Sequence, residues 1–169
     1  RSIPDLAEEV IENMNAALAA DEQKVWTGFM SDRSGLYIPG FHVKAHLKDL
    51  ANILQKTLTI KALKSKLADR VFVLEDNLPM NVKEPSGYWE HPMHIMTMQG
   101  PRSALKRNDY VLKPMLECTL KVLDDGVITE TILRSILEFG SIKGFGAERG
   151  LGNGRYQFTL TAMVRPSSP

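Results

Sequence analysis

The chain predicts an α+β fold, and three observations carry that reading. Apolar residues recur at helical spacing in some segments, alternate at strand spacing in others, and clusters of Gly, Pro, Ser and Asp separate the two kinds. At 169 residues, 43% apolar and 24% charged, the chain has the size and composition of one folded domain, with room for an appendage. No apolar run approaches the ~20 residues that cross a bilayer, and no basic-then-apolar leader is present. The single cysteine, Cys118, excludes an internal disulfide and a cysteine-based zinc site and points to a reducing compartment. A cytoplasmic protein without a membrane partner is the expectation.

Residues 1–23 predict an acidic N-terminal helix. Ser2 and Asp5 form a capping pattern, Pro4 suits a first turn, and Leu6, Val10, Met14, Ala17 and Leu18 share one face. Residues 24–169 then form the main domain. Lys24 to Met30 has strand character weakened by Gly28, and Ser31 to Gly35 is a turn. Leu36, Tyr37 and Ile38 lead to Pro39–Gly40, after which Val43, Leu47, Leu50, Ala51 and Leu54 line one face of a helix. Lys44, Lys48, Asp49, Asn52 and Gln55 lie on its other face. Further helix is expected over 61–69, a strand over Arg70 to Leu74, and a loop over 75–87.

Tyr88 to Met98 is extended, but Pro92 argues against a regular central strand. Gly100–Pro101 predicts a turn, and residues 102–114 are basic and irregular. Leu116, Cys118, Leu120 and Val122 alternate as a half-buried strand, and Asp124–Asp125–Gly126 turns the chain. Thr129 can cap a helix that buries Ile132, Leu133, Ile136 and Leu137 and ends at Gly140. The alternation of Tyr156, Phe158, Leu160, Ala162 and Val164 predicts a closing strand. This succession of elements points to a ferredoxin-like split β-α-β arrangement: an antiparallel sheet packed on helices, with a glycine-rich loop before the last strand.

The charge balance is local. Residues 1–23 hold one base and six acids, whereas residues 40–70 hold seven bases and two acids. A polyanion responds to charge within a Debye length, so a chain of net charge +1 can still bind one at its basic stretch. Between Gly140 and Gly154 lie six of the twelve glycines. Glycine admits positive φ and brings backbone N–H groups close to an anion. Lys143, Arg149 and Arg155 punctuate this loop, and Phe145 and Tyr156 could stack on bases. The loop follows a helix and precedes a strand, the reverse of the dinucleotide fingerprint, and it lacks the GK[ST] ending of an ATP-binding phosphate loop.

Two stretches resemble the RAMP superfamily, the RNA-binding proteins of CRISPR effector complexes and processing enzymes. Tyr37–Ile38–Pro39–Gly40, with Lys44 and Lys48 behind it, resembles the family's proline-glycine entry to its first helix. Ile142 to Phe158 is similar to its glycine-rich loop, with Gly144, Gly146, Arg149, Gly152, Gly154, Arg155 and Tyr156 at matching positions. The middle of the chain, Val71–Val73 and Met98 to Arg102, looks similar to phage-encoded proteins that carry the same loop. The resemblance covers about a third of the chain. It implies a ferredoxin-like, RRM-related domain that binds RNA or single-stranded nucleic acid without cutting it. Lys44, Lys48, Lys143, Gly144, Gly146, Arg149, Gly152, Gly154, Arg155 and Tyr156 would form the interface. Assembly with further copies or other subunits is implied by analogy.

The sequence departs from the family where a first core strand should precede the proline-glycine helix. Residues 24–30, a segment upstream of Arg1 or a neighbouring copy would have to supply it. No catalytic residue, metal site or cofactor is expected. His42 and His46 stand one helical turn apart, but no third ligand accompanies them. The alternatives are a metal-independent endoribonuclease, which needs a histidine beside the glycine loop in space, and a phage structural or host-interaction protein, which needs an exposed apolar patch.

Overall fold

The computed structural model describes residues 26–97 and 100–163, so the expected N-terminal helix lies outside the described residues. The fold is α+β, with three helices and small, mainly antiparallel sheets among the described residues. The chain divides into two compact units. The first joins residues up to Tyr37 to Pro79–Met115, and the second joins Ile38–Leu78 to the chain from Leu116 onward.

In the first unit, β1 (Trp26–Thr27) runs parallel to β7 (Gly100–Tyr110), whose other edge pairs antiparallel with β6 (Gly87–Thr97). Within the strand expected over 24–30, the described residues hold β1 and the start of β2 (Met30–Asp32), separated by Gly28 and Phe29. β2 pairs with β3 (Gly35–Pro39) around a turn in which the Asp32 carboxylate accepts the Ser34 amide at 2.7 Å. Leu36 then exchanges backbone hydrogen bonds with Met80 and Val82.

The irregular segment expected over 102–114 is corrected, because most of it belongs to β7, an eleven-residue strand in register with β6 along its whole length. Local propensity hides this strand. Its stability comes from cross-strand pairing, which single-residue preference does not encode. Gly100 and Pro101 open β7 instead of forming the turn. Pro92 is tolerated because β6 is an edge strand of the order β1-β7-β6.

The second unit contains the helical layer. Pro39, with φ −59° and ψ 137°, precedes α1 (Gly40–Leu54). Gly40 is needed because a Cβ there would stand 2.0 Å from the Glu75 carbonyl oxygen, while its amide donates to the Asp76 carbonyl at 2.7 Å. α2 (Leu63–Arg70) leads directly into β4 (Val71–Val73), which pairs antiparallel with β8 (Leu120–Val122). β5 (Asn77–Pro79), in the segment read as loop, completes a sheet of order β2-β3-β5. α3 (Glu130–Lys143) starts at Thr129, whose Oγ1 accepts the Ile132 amide at 3.3 Å as its sequence position predicts. Leu47, Leu50 and Ala51 of α1, Leu63 and Leu67 of α2, Val71, Ile128, and Leu133 and Ile136 of α3 form one buried cluster.

Three expectations are corrected in this unit. The strand expected from Leu116 starts only at Leu120, because the Thr119 amide is taken by the Glu75 carboxylate at 2.8 and 3.0 Å. Helix α3 passes through Gly140 and stops at Gly144, whose φ of 89° ends it. The closing segment from Tyr156 joins no ladder among the described residues. It lies against α3, with the Tyr156 amide donating to the Ser141 carbonyl at 3.2 Å and Leu160 packed on the core cluster.

Candidate nucleic-acid interface

The glycine-rich loop leaves α3 through a neck made of backbone alone. The Phe145 amide donates to the Gly154 carbonyl at 2.8 Å. A Cβ on Gly154, at φ 73°, would meet the Phe145 carbonyl oxygen at 1.9 Å, and one on Gly144 would meet the Asn153 carbonyl oxygen at 2.3 Å. The two sides of the neck touch, and only glycine permits the approach. Beyond the neck the loop is open. Gly146 and Gly150 have no neighbour where a Cβ would stand, and a single 3-10 turn spans Arg149–Leu151. Gly146 and Gly152 serve the loop through their positive φ, 95° and 84°.

Side chains fasten the loop to α1. The Asp49 Oδ2 atom accepts hydrogen bonds from Lys143 Nζ and Arg149 Nη1, each at 3.0 Å. Burial alone would raise the Asp49 carboxyl; the bonds from Lys143 and Arg149 outweigh it and hold the group below the usual carboxylate range. One turn earlier on α1, His46 is 8% exposed and meets the Tyr156 hydroxyl through Nε2 at 3.2 Å. That hydroxyl also lies 3.4 Å from the Leu137 carbonyl, its acceptor. Donation to Leu137 leaves the hydroxyl oxygen to accept from Nε2–H, so Nδ1 carries the lone pair. The Nδ1 atom is buried without a hydrogen-bond partner among the described residues.

The Phe145 ring stands edge-on to the imidazole with centroids 5.1 Å apart. Burial, reinforced by the Arg149 charge, pushes His46 down to about 4, and burial pushes Tyr156 up to about 12. Both groups are neutral at physiological pH. Gly140 belongs to this cluster as well: a Cβ there would meet the Tyr156 hydroxyl at 2.2 Å and Leu50 Cδ1 at 2.6 Å.

Of the residues the sequence singled out, Lys143, Gly144, Arg149, Gly154 and Tyr156 come together here, and Gly146 and Gly152 line the loop beyond them. Arg155 is exposed, and Lys48 is half-buried on α1. Lys44 is engaged elsewhere. Its ammonium donates to the Ala68 carbonyl at 2.6 Å and to the Val71 carbonyl, closing the end of α2, and it lies 4.8 Å from the centre of the Phe72 ring. Desolvation there, together with the Lys48 charge, lowers its pKa. Asp49 and His46, the residues that organise the loop, were not singled out as site residues. The available signal was that Asp49 is one of only two acids among the seven bases of residues 40–70.

Of the remaining histidines, His42 packs edge-on against Phe41 at 4.5 Å and His91 stacks on Trp89 at 4.5 Å. No helix among the described residues is long and apolar enough to cross a membrane, and no cluster of His, Cys, Asp and Glu among them could hold a metal ion. The chain matches no family model and no curated protein.

Proposed function

We propose that the protein binds RNA or single-stranded nucleic acid through the glycine-rich loop, without cutting it, as a RAMP-type domain. The observation that carries this reading is the convergence of Lys143 and Arg149 on one anionic oxygen, each at 3.0 Å. Two cations fixed to one oxygen form a ready receptor for a phosphate oxygen, and Asp49 occupies that receptor in the free protein. The Asp49 side chain is 42% exposed, so an incoming phosphate can exchange with it. Arg155 adds a cation on the exposed side of the loop, and the open backbone at Gly146 and Gly150 gives a strand room to approach.

The element order of the second unit supports the finer fold reading. It runs α1, α2, β4 and β5, then β8, α3 and an extended segment, a helix-then-strand, strand-then-helix succession that a ferredoxin-like domain shares. A cytoplasmic setting, in the host if the protein is phage-encoded, and assembly with further copies belong to the same reading.

His46 gives the endoribonuclease alternative its one specific support, because it stands beside the loop. Its burial and its value of about 4 leave it neutral and out of reach of a ribose hydroxyl, a poor general base. Cleavage of an RNA hairpin that disappears in His46→Ala would promote that reading.

The direct test is the affinity for a single-stranded 12-mer, as RNA and as DNA, across a salt series. Each phosphate neutralised contributes a slope of about −0.7 on a double-logarithmic plot. Arg155→Ala should flatten the slope by about that amount. Asp49→Asn should bind more tightly and steepen the slope by up to about 1.4, the worth of two unmasked cations. Absence of binding at low salt overturns the proposal.

A further inference from the structure

The β4–β8 pair buries one face and leaves the other open. Val71, Leu120 and Val122 pack on the core side, Val73 lines the cleft described below, and Phe72 and Lys121 sit directly opposite each other in register. Phe72 is 49% exposed, and Lys121 is exposed. Leu74 and Leu123 continue the same open surface at 56% and 51% exposure. Beside Phe72 lies an open cleft of about 280 Å³ whose lining includes Gly40, Phe41, Lys44, Glu75 and Asp76. That volume falls just under the range of about 300–1,000 Å³ typical of small-molecule sites, so it suits a single ring system.

We infer that this face holds an unpaired nucleobase stacked on Phe72, a second contact for the strand that the glycine loop is proposed to bind; the inference rests on that reading. The chemistry of the cleft fits a base. Two phenylalanine side chains, Phe72 and the 64%-exposed Phe41, supply aromatic surface. The Lys44 ammonium lies over one face of the Phe72 ring, 4.8 Å from its centre, and its own bonds to the Ala68 and Val71 carbonyls hold it in place, so a base would stack on the opposite face of the ring. Asp76, exposed on the rim, can accept the N–H donors of a base edge. Its charge disfavours a phosphate at the same spot. Lys121, across the ladder from Phe72, offers a cation to the adjoining phosphate. The site therefore separates base from backbone: rings and a carboxylate in the cleft, an ammonium on the sheet.

Stacking is not electrostatic, and this separates it experimentally from the loop. Phe72→Ala should weaken binding of a single-stranded RNA 12-mer by about tenfold at every salt concentration, with the salt slope unchanged. Phe72→Trp should restore or improve binding. An abasic 12-mer of the same length should bind wild type and Phe72→Ala equally. Phe72 is a half-exposed side chain outside the buried cluster, and circular dichroism of each variant checks that the fold is kept. Equal affinity of Phe72→Ala and wild type for the RNA overturns the inference while leaving the loop reading intact. A wild-type protein that binds neither RNA nor abasic strand overturns both.

Discussion

The two units are held together by different means. The second is built on side chains: its buried cluster draws leucines, valines and isoleucines from all three helices, β4 and Ile128. The first is built on backbone. Its main feature is the β6–β7 ladder, and its buried side chains among the described residues are few, Leu36, Met80 and the polar Asn108. On the exposed face of that ladder, Arg107 lies 3.9 Å from the Tyr88 ring centre. Burial of apolar surface is cooperative and sensitive to the loss of a methyl group, whereas a ladder tolerates most side-chain changes provided the register is kept. The contrast teaches that the same kind of substitution should have unequal effects in the two units.

The largest effect should come from the core. Leu50 is fully buried between α1 and its neighbours, and Leu50→Ala should cost about 2–5 kcal/mol. Leu105 on β7 is 40% exposed, and Leu105→Ala should cost well under that. Hydrogen exchange resolved by segment is the right measurement, since two units need not unfold as one. Protection should collapse over α1, α2 and α3 in the first variant. A comparable loss for the two substitutions would break the contrast.

A pH dependence centred on His46 of the second unit comes next. His46 is held at about 4 in the folded protein, mainly by burial, against an ordinary value of 6.5. Between these values the unfolded chain takes up a proton that the folded one does not, so stability falls as pH falls from about 6.5 to 4. The loss should be on the order of 2–3 kcal/mol, and full stability returns above that window. Urea midpoints at pH 7 and pH 4.5 measure it, and His46→Gln should remove most of the difference. An unchanged midpoint shift in that variant would place the titration elsewhere.

The smallest effect sharpens the comparison from the other side. Asn108 on β7 is 4% exposed, and neither its amide nitrogen nor its oxygen has a hydrogen-bond partner among the described residues. A buried polar group without partners is a cost that an apolar residue of similar size avoids. Asn108→Leu should therefore leave thermal stability unchanged or raise it by about 1 kcal/mol. A drop of more than that would show that the carboxamide has a role in the unit after all.

Legibility in the sequence followed the same division. Helices α1 and α3, the Thr129 cap and the turn at Asp124–Gly126 were readable, because period and capping chemistry are local. Strand β7 was not, since its sequence carries no alternation and its partner β6 supplies the pairing. Gly140 reads in sequence as a helix end, yet α3 runs through it. A glycine inside a helix and one at its cap look alike in sequence, and only the approach of Tyr156 and Leu50 tells them apart. In the candidate site, the glycines and cations of the loop stood out by composition. Asp49 did not, because a carboxylate on the far face of an amphipathic helix has the signature of any solvated residue.

Residues 79–115 belong to the first unit but lie between β4 and β8 in the chain, which has a consequence for the order of events during synthesis. When α1, α2 and β4 leave the ribosome, Leu47, Leu50, Leu63 and Leu67 have no α3 to cover them, and β4 has no β8. The ladder Val71↔Val122 joins residues some fifty positions apart, a closure that slows assembly and prolongs the exposure of the nascent helical layer. The long β6–β7 hairpin, by contrast, can zip as soon as its second strand appears. All residues of the first unit are thus synthesised by Met115, before β8 and α3 of the second exist, and the glycine loop with Lys143 and Arg149, the partners of Asp49, is made later still.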